Sequence, residues 1–330
     1  VIELKNDSLV FTFPEVHPKA KLTIDFQRTL RIPDDGKDYP LPPGLGRFPV
    51  RHIDDFRANL PKQWERHGGV MLPMYQSEAL WLNFSSDHIS DHGTDYPFAI
   101  KVATGKINAV TGDNWTDWLQ GNPQDYMVAP DQPWLDGFSV EKGFIRQFVA
   151  MPLGSGYSAE EQLTGDGEFG GLQVMVYPMK RASFERLFPK QDIRAYRSRL
   201  DDHVMYSMAE PCMDMGLAPG GRMRQEIYED PYDMDDWEMG HKSRCFVHLA
   251  NSLVWRAVTG DNPPTVPMTA REYAAHNLPW FEYYTDGAGV LDGSEKLSGL
   301  KSVKEKGIEK GDNPLPKNAS VFSDPVINLS

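Results

Sequence analysis

Leu9-Val10-Phe11-Thr12-Phe13 and Lys21-Leu22-Thr23-Ile24-Asp25-Phe26 place an apolar side chain at every second position. Successive side chains of an extended chain point to opposite faces, so Leu9, Phe11 and Phe13 share one face, as do Leu22, Ile24 and Phe26. The second run continues through Leu30 and Ile32 into Pro33-Asp34-Asp35-Gly36, a strong turn sequence. With Lys21, Thr23 and Asp25 on the reverse face, the pattern predicts an antiparallel pair of strands with one solvated side.

Further runs of this kind predict strands at 70–74, 79–84, 98–103, 107–110, 144–151, 172–177, 223–228, 245–249 and 253–258. Phe56, Leu60 and Trp64 recur at helical spacing and predict a helix over 54–67 that Pro61 shortens or kinks. Two more short helices are marked by capping boxes, Ser158 with Glu161 and Thr269 with Glu272. The 28 glycines and 26 prolines argue against a helical bundle, and strands do not alternate with long helices as a dinucleotide-binding fold requires. The expected class is α+β, predominantly antiparallel β, with a duplicated sandwich or barrel-like core and short peripheral helices.

The duplication is read from a repeat. Ala109-Val-Thr-Gly-Asp-Asn114 recurs unchanged as Ala257-Val-Thr-Gly-Asp-Asn262. Gly68-Gly69 precede the first copy and Gly220-Gly221 the second; each pair is followed by a strand-like run closed by a tyrosine, Tyr75 or Tyr228. This organises the chain as N-terminal strands plus helix (1–67), a first β unit (68–114), a central segment (115–219), a second β unit (220–262), a helix and aromatic segment (263–293) and an extended arm (294–330), all in one body.

Composition limits the function. The 330 residues carry a formal net charge of −13, which disfavours nucleic acid and anionic lipid as partners. No apolar run approaches the ~18 residues that span a bilayer. Two cysteines, Cys212 and Cys245, are too few for a disulfide scaffold or a cysteine-rich zinc module, and they read as buried thiols, with one bridge between them left open. The 14 methionines and these thiols favour a cytoplasmic protein, whereas five glycosylation sequons (Asn6, Asn83, Asn114, Asn318 and Asn328) keep a secreted origin open.

Three groups of residues carry chemistry. Asp87, His88, Asp91 and His92 lie in one loop and offer carboxylates and imidazoles suited to a divalent metal. The acidic stretch of Asp230, Asp233, Asp235, Asp236, Glu238 and His241 is harder, better matched to calcium or magnesium. Trp134 with Asp136 and Trp280 with Glu282 each set an indole beside a carboxylate, a combination suited to sugars or cations; with Arg146 they are the candidate ligand-binding residues. Cys245 and His248, three apart on a strand, point to opposite faces and cannot pair directly, and no serine elbow or phosphate loop is present. The expected function is therefore that of a soluble, acidic, self-associating protein, structural or small-ligand-binding. The alternative is a hydrolase or lyase acting on a small polar or carbohydrate substrate between the two β units, with or without the assistance of a divalent metal.

Overall fold

A computed structural model describes residues 1–190 and 215–329; Cys212 lies outside the described residues. Two mostly antiparallel sheets dominate. The first has ten strands, running Ile2–Lys5, Ser8–Thr12, Lys21–Thr29, Ala79–Ser86, Phe144–Pro152, Met215–Arg224 and Asp38–Tyr39, with Gly44–Arg47, Trp134–Leu135 and Gly137–Glu141 paired alongside. The second has seven: Ile107–Asn108, Phe98–Thr104, Leu172–Pro178, Ser243–Ala250, Val70–Pro73 and Arg51–His52, with Met127–Ala129 on Phe98–Thr104. Side chains from both sheets enter one apolar cluster. The α+β class with short helices is as expected, and neither sheet closes into a barrel.

The N-terminal pair forms in the expected sense, with Leu9 opposite Ile24 and Phe11 opposite Leu22. Its apolar face is fully buried, while Lys21, Thr23 and Gln27 on the reverse are partly covered. The expected helix at 54–67 is broken at Pro61 into a 3-10 turn, Ile53–Asn59, and an α-helix, Lys62–His67. Both capping boxes are made as read.

The expected strand at 253–258 is a helix, Ser252–Thr259. The Asn251 side chain accepts the N–H groups of Leu253 and Val254 at 2.9 Å, and Gly260 closes the other end at φ 83°. These caps outweigh the β-branched residues between them, and Trp255 and Val258, three apart, face the core. The two hexapeptides therefore stand in different local structures. The first hexapeptide is a turn after Ile107–Asn108 and the second ends a helix; the copies share a left-handed glycine, Gly112 at φ 72° and Gly260, and a threonine hydroxyl that accepts the N–H of Asp113 or Asp261. Gly220 and Gly221 have another reason to be glycine. A Cβ at the first would stand 2.4 Å from Val149 Cγ2, and at the second 2.4 Å from the Pro33 carbonyl oxygen.

The strand expected at 223–228 ends at Arg224, and side-chain amides carry the chain onward. Gln132 accepts the Tyr228 N–H at 3.0 Å and donates to the Glu226 carbonyl at 3.2 Å. Gln124 donates to the Tyr228 carbonyl at 3.1 Å and accepts the Asp230 N–H at 2.8 Å. The segment read as an extended arm folds back onto the body. Leu297, Leu300, Val303 and Leu315 are buried, and Val326–Asn328 pairs in parallel with Trp280–Glu282. No helix among the described residues is long and apolar enough to cross a membrane.

Phe98–Thr104 is buried along its whole length, and in its middle lies Lys101, with no exposed surface. The ammonium has three donors and all are used, on Asp125 (2.5 Å), Thr116 Oγ1 (2.7 Å) and the Trp118 carbonyl (2.7 Å). Burial pulls the lysine down and pushes the aspartate up, and each opposes the other's shift. Removing one partner strands the other charge, which typically costs about 3–5 kcal/mol. Asp125→Asn should therefore lower unfolding stability by about that much in urea, with much of the loss recovered when Lys101→Met is added. Equal stability of Asp125→Asn and the parent would show that the pair is not a structural anchor.

Candidate functional site

The strand Ala79–Ser86 turns Leu80, Leu82 and Phe84 inward, so Trp81 and Asn83 fall on the opposite face. Trp134 pairs with Asn83 across the ladder, which makes it the diagonal neighbour of Trp81; the indoles meet edge to face at 6.2 Å. Trp134 and Asp136, two apart in extended chain, share a side and line the same cavity of about 340 Å³.

The opposite wall is Leu41, Pro42, Pro43 and Gly44. It is clamped to the strand Trp280–Glu282 by a reciprocal pair of backbone bonds between Leu41 and Phe281, 2.8 and 2.9 Å. Phe281 faces the cavity, whereas its neighbour Trp280 is fully buried against Tyr39 and Tyr273. Leu329 completes the rim, its N–H bonded to the Glu282 carbonyl at 2.8 Å.

Asp136 is the one ionisable side chain among the described residues lining this slot, and it is 3% exposed. Gln225 clasps it, accepting the Asp136 N–H at 3.0 Å through Oε1 and donating to Oδ2 at 3.0 Å through Nε2. No cation stands within ion-pair distance of Asp136 among the described residues. Burial therefore dominates, raising the carboxyl to about 7, against a smaller lowering by the Gln225 amide. An apolar, aromatic slot with a single poised acid is the arrangement expected of a small-ligand site.

Of the five expected ligand-binding residues the slot gathers two, Trp134 and Asp136. Arg146 does not line the slot; it bonds to the Gly220 carbonyl at 3.3 Å and lies 3.7 Å from Asp34. Trp280 packs behind the wall, and Glu282 pairs with Arg224 at 2.8 Å. Trp81 and Phe281 were not singled out by the sequence. Trp81 had a signal, since a large aromatic on the polar side of an alternating strand needs something to cover it.

The expected metal ligands do not converge. Asp87 is bonded to Lys21 at 2.9 Å, Asp91 to Lys19 at 2.8 Å and Lys190 at 3.1 Å, and His88 to Asp95 at 2.7 Å, while His92 Nδ1 meets the Phe188 carbonyl. The lysines have taken the carboxylates. In the second acidic stretch Asp236 pairs with Arg186 at 2.5 Å and Glu238 lies 3.7 Å from His241. Among the described residues no three His, Cys, Asp or Glu side chains are grouped to hold a metal ion.

Another cavity, of about 870 Å³, is lined by Asp113, Glu229, Asp230, Asp292 and Glu295 with Lys296, among others. Its best-placed acid, Asp230, is committed to the Tyr126 hydroxyl (2.5 Å), the Trp237 indole (2.8 Å) and the Tyr232 N–H (2.8 Å). Such fixed donors occupy the lone pairs that acid–base work on a substrate would use. Cys245 and His248 are both buried; burial pushes the thiol up to about 12 and the imidazole down to about 4. His248 stacks on Trp64 and bonds to the Gly68 carbonyl at 3.0 Å, and Cys245 makes no pair with it.

No protein-family model, curated protein or solved structure matches this chain.

The raised Asp136 has a consequence for stability. Between its ordinary 3.8 and about 7 the folded state holds a proton that the unfolded state has released. The contribution is thus fully present below 3.8 and is lost at about 1.4 kcal/mol per pH unit until the folded carboxyl ionises. Asp136→Asn keeps an acceptor for Gln225 and cannot ionise. Its unfolding free energy relative to the parent should rise steadily between pH 4 and 7 and level off above; a pH-independent difference would mean that the carboxyl is not protonated in the folded protein.

Proposed function

We propose that the chain is a small-ligand-binding protein whose slot takes a small organic cation, an alkyl- or arylammonium group. The observation that carries this reading is Asp136, a buried carboxyl with no cationic partner among the described residues, in a cavity lined by Trp81, Trp134 and Phe281. An ionised carboxylate in apolar surroundings is costly unless a counter-charge joins it, and aromatic rings favour the same sign of charge. The net charge of −13 attracts cations toward the surface. A carbohydrate fits less well, because its hydroxyls call for several polar partners and the slot offers one ionisable group.

Titration with benzyltrimethylammonium, followed by calorimetry and indole fluorescence, tests this against its uncharged carbon isostere. Binding of the cation should tighten as pH rises through about 7, since only the carboxylate pairs with it. Trp134→Ala should weaken it roughly tenfold, the upper range of a cation–π contact. Preference for the uncharged isostere, or affinity that falls with rising pH, would sink the reading.

Self-association is supported by a second observation. Phe322 is 91% exposed, and Val326, Ile327 and Leu329 follow it on the same exposed strap. An apolar row of this kind is a common mark of a contact surface. Light scattering should give a mass above that of one chain, reduced by Phe322→Ser with Ile327→Ser; a strict monomer at high concentration would exclude it.

A further inference from the structure

A second cavity, of about 340 Å³, shares no lining residue with the slot; it is bounded by Arg31, Gln76, Ser77, Thr269, Pro316 and Lys317, among others. Arg31 reaches it from the turn after the strand Lys21–Thr29, where its backbone bridges to Thr269. Its guanidinium is poorly satisfied. Nε is buried without a partner, and Nη1 reaches only the Ser77 carbonyl, at 3.4 Å.

No carboxylate among the described residues pairs with Arg31. Two carboxylates of neighbouring residues are committed elsewhere. Glu78 lies 3.5 Å from Arg28 and accepts the Tyr75 N–H at 3.0 Å. Glu272 is held by the Thr269 hydroxyl and N–H, 2.7 and 2.8 Å, in its capping box, with Lys317 at 3.8 Å from its other oxygen. Burial alone pulls the guanidinium down to about 10, and no acid offsets it. Proteins rarely bury a cation without a partner, and a guanidinium fork matches the two oxygens of a carboxylate or phosphate.

We propose that this cavity binds a small oxyanion, with Arg31 as its forked donor and Lys317 as a second cation at the rim. Glu272 does not line the cavity; its carboxylate is bonded to Thr269 and lies 3.8 Å from Lys317. Small dianions fit the pair of cations best, and a single carboxylate can use the Arg31 fork alone. The site is independent of the slot, so either can fail without the other.

Inorganic phosphate and acetate, each titrated into the full chain at constant ionic strength set with chloride, are the probes. The expected result is saturable binding of at least one of them, with a thermal midpoint that rises with its concentration. Arg31→Met should weaken that binding at least tenfold and Arg31→Lys by less, while Asp136→Asn leaves it unchanged. If Arg31→Met does not fold, Lys317→Glu at the exposed rim serves in its place and should weaken phosphate several-fold. Stronger binding of phosphate assigns the site to phosphoryl groups, and of acetate to carboxylates. No saturable binding of either anion, or equal binding by Arg31→Met or Lys317→Glu, would overturn the proposal.

Discussion

Gln225 and Asp136 grip one another twice, amide to backbone and amide to carboxyl, and the grip fixes a carboxyl group that pairs with no cation among the described residues. Gln225 is the first residue past the strand Met215–Arg224, and Asp136 the first past Trp134–Leu135. Their contact therefore ties two strand ends together and sets the floor of the slot at once. A neutral amide is the partner that allows this. It satisfies the carboxyl's hydrogen bonding without supplying charge, so the cost of ionising Asp136 stays unpaid and available to a ligand.

Glutamine recurs in this role. Gln147 accepts the Ile32 N–H at 3.0 Å and donates to the Leu30 carbonyl at 2.7 Å; Gln173 donates to the Gly105 carbonyl at 2.6 Å; Gln124 and Gln132 carry 226–230. Buried backbone groups must find partners, and where a strand leaves its ladder a long amide side chain can supply both a donor and an acceptor. This is why 223–228 looked like a strand. Past Arg224 its backbone groups are partnered by glutamine side chains as well as by backbone, and alternation in the sequence does not distinguish the two.

What was legible followed from local chemistry. The strands at 8–12 and 21–29, the break at Pro61 and the two capping boxes each depend on a few adjacent residues whose spacing dictates geometry. The segment 253–258 misled because Val254 and Val258 suggested a strand, whereas the decisive residues were the caps of its helix, Asn251 and Gly260. At the site, Trp134 and Asp136 were legible as a pair two apart in extended chain. The other rings come from residues 81 and 281, and only the fold joins them. The acidic loop at 87–95 failed as a metal site for a reason the sequence hides, since its lysine partners come from positions 19, 21 and 190.

The central claim is that Asp136 stays protonated near neutrality and yields its proton to a cationic ligand. Carbon-13 NMR titration of the aspartate carboxyls, with Asp136→Asn for assignment, reads this directly. The expected midpoint for Asp136 is about 7, falling when benzyltrimethylammonium saturates the slot. A midpoint near the ordinary 3.8, unmoved by the cation, would contradict it.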